Sequence, residues 1–149
     1  MMDLRELYQE TILDHSRHPR NQRQPDETTH RAFGHNPLCG DQIAVHLKIK
    51  DDQVEDIGFL GSGCAISIAS ASIMTDAIKG KSLKEANELA EKFYQMVVNG
   101  ENPEGIGKLV AFSGVREFPI RVKCATLAWH ALQAAIEGKT QPVSTEEEE

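Results

Sequence analysis

Gln42-Ile43-Ala44-Val45-His46-Leu47-Lys48-Ile49-Lys50 is the run whose reading decides the fold. Ile43, Val45, Leu47 and Ile49 alternate with Ala44, His46, Lys48 and Lys50, the two-residue period of a strand with one face in a core and one face wet. Asp51-Asp52-Gln53 supplies a turn, and Val54 to Leu60 returns, so the pair is expected to form an antiparallel hairpin. Upstream, Thr29 to Phe33 is a weaker strand candidate. Downstream, Gly61-Ser62-Gly63 introduces a change of period. Ile66, Ala69, Ser70, Ile73, Ala77 and Ile78 fall on one side of a helix from Cys64 to Lys79, which Gly80 ends.

Further out the pattern is helical. Ser82 with Glu85 three residues on forms a capping-box signature, and Leu83, Ala86, Leu89, Ala90, Phe93, Met96 and Val97 pack inward behind it. Asn99 to Gly107 reads as a polar loop and Gly107 to Ser113 as a short helix. Pro119 opens a last helix that runs to Ile136, with Gly138 as its terminator. At the other end, Met2 to His15 carries Leu4, Leu7, Tyr8, Ile12 and Leu13 on one side, and Pro19 disfavours helix at His18. Helix, strands, then helices predicts an α+β fold with a small antiparallel sheet covered by helices. One domain is expected over residues 1–138, followed by an acidic, disordered tail over 139–149.

With 149 residues, 40% hydrophobic and 26% charged, the chain can bury a core without disulfide or metal staples. No apolar run approaches the roughly 18 residues of a membrane span, and the first residues lack the apolar segment of a secretory signal, so a cytoplasmic location is expected. The net charge is −7, and four of the acids are Glu146 to Glu149. The absence of a basic stripe argues against nucleic acid as a partner.

The chemistry-bearing residues are the three cysteines, Cys39, Cys64 and Cys124. An odd number in such a chain argues against a disulfide framework. Cys39 stands in the Pro/Gly loop Asn36-Pro37-Leu38-Cys39-Gly40-Asp41. A thiolate and a carboxylate two residues apart can share a zinc or iron ion, although a turn-forming Asp beside a loop Cys gives the same spacing. Cys64 opens a helix, where free N–H groups stabilise a thiolate; a small residue closing a strand–helix corner is the alternative. Cys124 shares a helix face with Ile120, Leu127, Ala128 and Ala131, where a plain core cysteine would also sit. The separations of 25 and 60 residues contain no CxxC pair. His35 is near enough to Cys39 to touch a ligand. His15 and His18 offer a weak metal pair or a polar helix end, while His46 is expected on the wet strand face and His130 on the outer helix face. Gly80-Lys81-Ser82 echoes a phosphate loop, but Thr75 stands where glycine is needed and the stretch follows a helix.

Taken together, four stretches resemble the IscU/NifU-type iron–sulfur cluster assembly family, and within it the SufU branch. They are Leu13-Asp14-His15 with Pro19-Arg20-Asn21; Asn36-Pro37-Leu38-Cys39-Gly40-Asp41; Gly61-Ser62-Gly63-Cys64-Ala65-Ile66-Ser67; and Arg121-Val122-Lys123-Cys124-Ala125-Thr126-Leu127-Ala128-Trp129. The resemblance spans about residues 4–138 and implies a three-stranded antiparallel sheet packed with helices, the fold shared with SufE-like proteins. It implies Cys39, Asp41, Cys64 and Cys124 as metal or cluster ligands, zinc as the ion in SufU-like members, and Cys39 as the acceptor of persulfide sulfur. The partner implied is a cysteine desulfurase of the SufS type, a pyridoxal-phosphate enzyme, with a downstream iron–sulfur scaffold receiving the sulfur. On this reading the chain is a zinc-dependent sulfurtransferase. The alternatives are a scaffold that builds a transient [2Fe–2S] cluster on the same residues, or a binding module with purely structural zinc. The IscU branch has His before its third cysteine; this chain has Lys123, a poor ligand unless its pKa falls far, which leaves Asp41 as the fourth donor. Phe118-Pro119-Ile120-Arg121-Val122-Lys123 lacks that branch's Pro-rich chaperone-recognition stretch. Arg121 and Lys123 are expected to hold the partner or steady an anionic sulfur.

Overall fold

The computed structural model describes residues 4–138 and 143–144. Helix α1 (Leu4–Arg17) leads into strands β1 (His30–Asn36), β2 (Asp41–Lys50) and β3 (Gln53–Ser62). Helices α2 (Ala65–Ile78), α3 (Leu83–Val97) and α4 (Pro119–Glu137) follow, with a 3-10 segment (Gly107–Glu117) before α4 and a two-residue strand β4 (Val143–Ser144) after it. The three long strands pair antiparallel as expected, and β4 adds a short parallel pairing on the free edge of β1. Apart from Val143 and Ser144, the expected tail lies outside the described residues. None of the described helices is long and apolar enough to cross a membrane.

One face of the sheet builds the core. Ile43, Val45 and Leu47 of β2 and Ile57 and Phe59 of β3 are fully or almost fully buried beneath α2 and α4. Behind them Trp129 of α4 stacks on Phe93 of α3 at 4.8 Å, and Phe93 meets Phe112 of the 3-10 segment edge-on at 5.8 Å. The expected capping box is present: Ser82 accepts from the Glu85 N–H at 3.1 Å and Glu85 from the Ser82 N–H at 3.0 Å. Gly138 ends α4 with φ +77°, the left-handed conformation that glycine adopts without penalty.

Three readings change. The weak strand at Thr29 to Phe33 extends to Asn36, because Gly34, His35 and Asn36 are paired with Ile43, Gln42 and Asp41 whatever their own preference. The short helix after Gly107 runs on to Glu117 and is 3-10 throughout. The outer face of β2 is not wet at its centre, since Ala44 and His46 are both buried. The chain between α1 and β1 explains His46. The Asn21 carbonyl accepts from Phe59 N–H at the β3 edge (3.0 Å), and Thr29 N–H donates to Leu47 (2.8 Å) beyond it, so the segment between must cross the sheet. It crosses on the face of Gly58, whose position a side chain could not share with the Arg23 carbonyl, and Gly58 is the cross-strand partner of His46.

His15 is also buried. Its Nδ1 bonds Ser72 Oγ of α2 at 2.7 Å, which makes it a core histidine pinning α1 to α2. Burial holds both imidazoles below their usual pKa.

Candidate metal centre

The site forms where the core runs out. Along the inner face of β2 the residues run Leu47, Val45, Ile43 and then Asp41; along β1 they run Ala32, Gly34 and then Asn36. Asn36 and Asp41 face each other in register, both fully buried. The apolar column therefore ends in an amide and a carboxylate, and everything chemical gathers above them.

Between those two lie Pro37, Leu38, Cys39 and Gly40. Asn36 organises this turn. Its carbonyl accepts from the N–H groups of Cys39 (3.2 Å) and Gly40 (2.8 Å), and its Oδ1 from Leu38 N–H (3.2 Å). Gly40 takes φ +72°, which explains glycine there. The turn leaves Cys39 exposed.

Cys64 is the N-cap of α2. Its Sγ accepts from Ser67 N–H at 3.5 Å, and its own N–H donates to Asp41 Oδ1 at 2.9 Å. A β-carbon on Gly63 would fall 2.6 Å from that carboxylate oxygen, so glycine is what lets Asp41 lie against the helix start. Ser67 completes the arrangement by donating its hydroxyl to Asp41 Oδ2 at 2.6 Å. Cys124 reaches down from the first half of α4, only 2% exposed. Its Sγ lies 3.5 Å from Cys39 Sγ and 3.6 Å from the Asn36 amide nitrogen.

Donor atoms of Cys39, Asp41 and Cys124 all lie within 4.8 Å of one another, and Cys64 Sγ stands 3.8 Å from Asp41 Oδ2. Ligands about 2.3 Å from a tetrahedral zinc are themselves roughly 3.8 Å apart. The Cys39–Cys124 and Cys64–Asp41 separations match that spacing. Cys39, Asp41 and Cys124 form one close group with Cys64 beside it, and three thiols with one carboxylate are a donor set that zinc accepts. An iron–sulfur cluster draws on the same softness of thiolate.

The thiols are electrically unequal. A hydrogen bond from Cys124, helped by the Ser67 N–H and hydroxyl, brings the Cys64 thiol down to about 6. Cys124 is pushed up, by that same bond, by burial and by its bond to Cys39. Without metal, Cys64 is the thiolate and Cys124 the thiol that donates to it. Alkylation of Cys64 in the metal-free protein is accordingly expected to reach half its plateau near pH 6, with Cys124 unreactive to above pH 9; peptide-resolved mass spectrometry with iodoacetamide reads both. A Cys64 midpoint above pH 8 would contradict the assignment.

The remaining candidates stand apart. His35 lies on the opposite face of β1 from Asn36, beside Gln42, and is not among the donors. Arg121 and Lys123 are two residues apart on a helix and so diverge. Arg121 lies over the Phe118 ring (4.4 Å) in a groove of about 730 Å³ that Tyr8, Leu13 and Ile66 also line; Lys123 lines another of about 550 Å³ with Tyr94, Arg116 and His130. His130 does sit on the outer face, stacked on Tyr94 at 5.2 Å. Sequence reasoning assigned no role to Asn36 or Ser67. Ser67 had a usable signal, three residues after a helix-opening cysteine and hence beside it; the partners of Asn36 are set by the hairpin and by α4, which local sequence does not reveal.

Fold and site together define a small α+β protein that presents three thiols and a carboxylate at the open end of its core. The family model for the NifU-like N-terminal domain matches residues 7–141, and the chain belongs to that family of iron–sulfur cluster assembly proteins. It is 46% identical over 135 residues to the iron–sulfur cluster assembly scaffold protein IscU of Streptococcus pyogenes, covering 89% of this chain and 84% of that one. It is 42% identical to the zinc-dependent sulfurtransferase SufU of Bacillus subtilis, covering 87% and 89%. A crystal structure described as an iron–sulfur cluster assembly scaffold protein of a SUF system, from Fervidobacterium islandicum, superposes with a TM-score of 0.82 at 32% identity, over 90% of this chain and 99% of that one.

Proposed function

We propose that this member of the family is a zinc-dependent sulfur carrier that takes persulfide sulfur from a cysteine desulfurase onto Cys39 and passes it to a downstream scaffold. Cys39, Asp41, Cys64 and Cys124 would hold the zinc, which when bound keeps the thiols deprotonated at neutral pH. The observation that carries the reading is the unequal mounting of the thiols. Cys39 and Cys64 are both exposed and Cys124 is buried, but Cys64 is fixed as the N-cap of α2, whereas Cys39 stands at the tip of a hairpin. Sulfur transfer needs a thiolate that a partner can reach and that can leave its place, and the hairpin tip suits Cys39 to that better than the helix cap suits Cys64.

In the transfer the Cys39 thiolate attacks the terminal sulfur of the partner's persulfide. A new S–S bond forms on Cys39, the partner's S–S bond breaks, and its electron pair stays on the partner's thiolate. Exposed apolar side chains suit a protein partner: Leu38 next to Cys39 in the chain, and Phe118 and Ile120 at the start of α4, the helix that carries Cys124.

The experiment is to incubate the zinc-loaded protein with a cysteine desulfurase and free cysteine. The expected result is one added sulfur on the Cys39 peptide and a faster desulfurase. Sulfur only on Cys64 or Cys124, or none, would overturn the reading. The similarity to IscU favours a second one, a scaffold assembling a [2Fe–2S] cluster on the same four residues. Protein purified without oxygen separates them: colourless with one zinc for the carrier, brown with iron and acid-labile sulfide for the scaffold.

A further inference from the structure

We infer that Asn36 is a positioning residue that ties the Cys39 turn to Cys124 and so sets the spacing of the two thiols. The inference rests on the reading of Cys39 and Cys124 as working thiols. Asn36 is fully buried, with every side-chain polar atom engaged. Its Oδ1 holds Leu38 N–H at 3.2 Å and its carbonyl holds the next two N–H groups, so three successive amides of the turn hang on one residue. On its other side Nδ2 points at Cys124 Sγ, 3.6 Å away, and that sulfur is in turn 3.5 Å from Cys39. A buried amide with these bonds fixes the turn from below and the α4 thiol from the side at once. Groups that orient metal ligands through one hydrogen bond commonly change metal affinity 10- to 100-fold when removed.

The two halves of the amide can be separated. Asn36→Asp keeps an oxygen for Leu38 N–H and loses the donor to Cys124. Asn36→Ala loses both, while the backbone carbonyl remains. Two readouts follow, neither of them sulfur transfer. The first is peptide-resolved alkylation of the metal-free protein, with Cys64 as internal reference and the buried Cys124 as a monitor of unfolding. Asn36→Ala is expected to raise the Cys39-to-Cys64 rate ratio about fivefold or more, and Asn36→Asp to leave it near wild type. The second is zinc affinity against a chromogenic chelator, expected to fall roughly 10- to 100-fold in both variants. A wild-type Cys39 ratio in Asn36→Ala, an Asn36→Asp ratio as high as that of Asn36→Ala, or wild-type zinc affinity in Asn36→Asp would overturn the inference. If Asn36→Ala unfolds, seen as fast Cys124 alkylation, the isosteric Asn36→Asp decides alone, through its ratio and its zinc affinity. Wild-type protein that takes up no zinc refutes the carrier reading instead, and the alkylation ratios still judge Asn36.

Discussion

Cys39→Ala is expected to reduce sulfur uptake to nothing and to return the desulfurase to its unassisted rate. Cys39 is exposed on a four-residue turn, Cys124 is 2% exposed, and Cys64 is fixed as the cap of α2. Cys64 is exposed as well, but as the cap of α2 it is held at the helix start, and Cys124 is buried on α4, so neither is expected to replace Cys39. Asp41, Cys64 and Cys124 remain, so the variant should still hold zinc, more weakly, and still fold. The measurement is paired: sulfur per chain by intact mass, and alanine released by the desulfurase per minute with and without the carrier. Full stimulation by a folded Cys39→Ala protein would refute Cys39 as the acceptor.

Asp41→Ala should act in the opposite sense, leaving the nucleophile and taking away the ion. Asp41 is fully buried, accepts the Cys64 N–H through Oδ1 and the Ser67 hydroxyl through Oδ2, and contributes the only carboxylate of the cluster. With Asp41 as a direct ligand, as proposed, its loss exceeds the 10- to 100-fold change typical of outer contacts, so zinc affinity should drop by more than about 100-fold. The Cys64 N–H also loses its acceptor and the Ser67 hydroxyl keeps only the Cys124 carbonyl at 3.3 Å, and a buried donor left unsatisfied costs about 1–3 kcal/mol. Chelator competition and a denaturant melt test both parts. Alkylation of Cys39 in the metal-free variant should match wild type. Zinc retained at wild-type affinity would remove Asp41 from the ligand set.

Much of this architecture is legible locally. Alternation in Ile43 to Ile49 and the Ser82–Glu85 box report their own conformation, because the forces involved act within one turn or one strand. What misled was non-local. His46 looks solvent-facing until one knows that the segment from Asn21 to Thr29 crosses the sheet over Gly58. Gly34, His35 and Asn36 look like loop until their partners on β2 are known. The site divides in the same way. Spacing alone left each cysteine open between ligand and core, since separations of 25 and 60 residues carry no short-range metal signature. The family resemblance selected the four donors. The contacts of Asn36 and Ser67, to partners 88 and 26 residues away, needed the folded chain.

The donors come from a hairpin, a helix start and the first half of a distant helix, and this has a consequence for chain topology. Any ion or cluster gripped by all of them acts as a removable cross-link between segments up to 85 residues apart. By the loop-closure entropy that applies to a disulfide, a single tie across such a span restricts the unfolded chain by about 4.5 kcal/mol. Cargo and mechanical integrity are then the same quantity. The loaded protein is a closed network, the emptied one is held at that end by packing and hydrogen bonds without the tie, and a protease cutting near Gly40 would distinguish them before any assay of sulfur did.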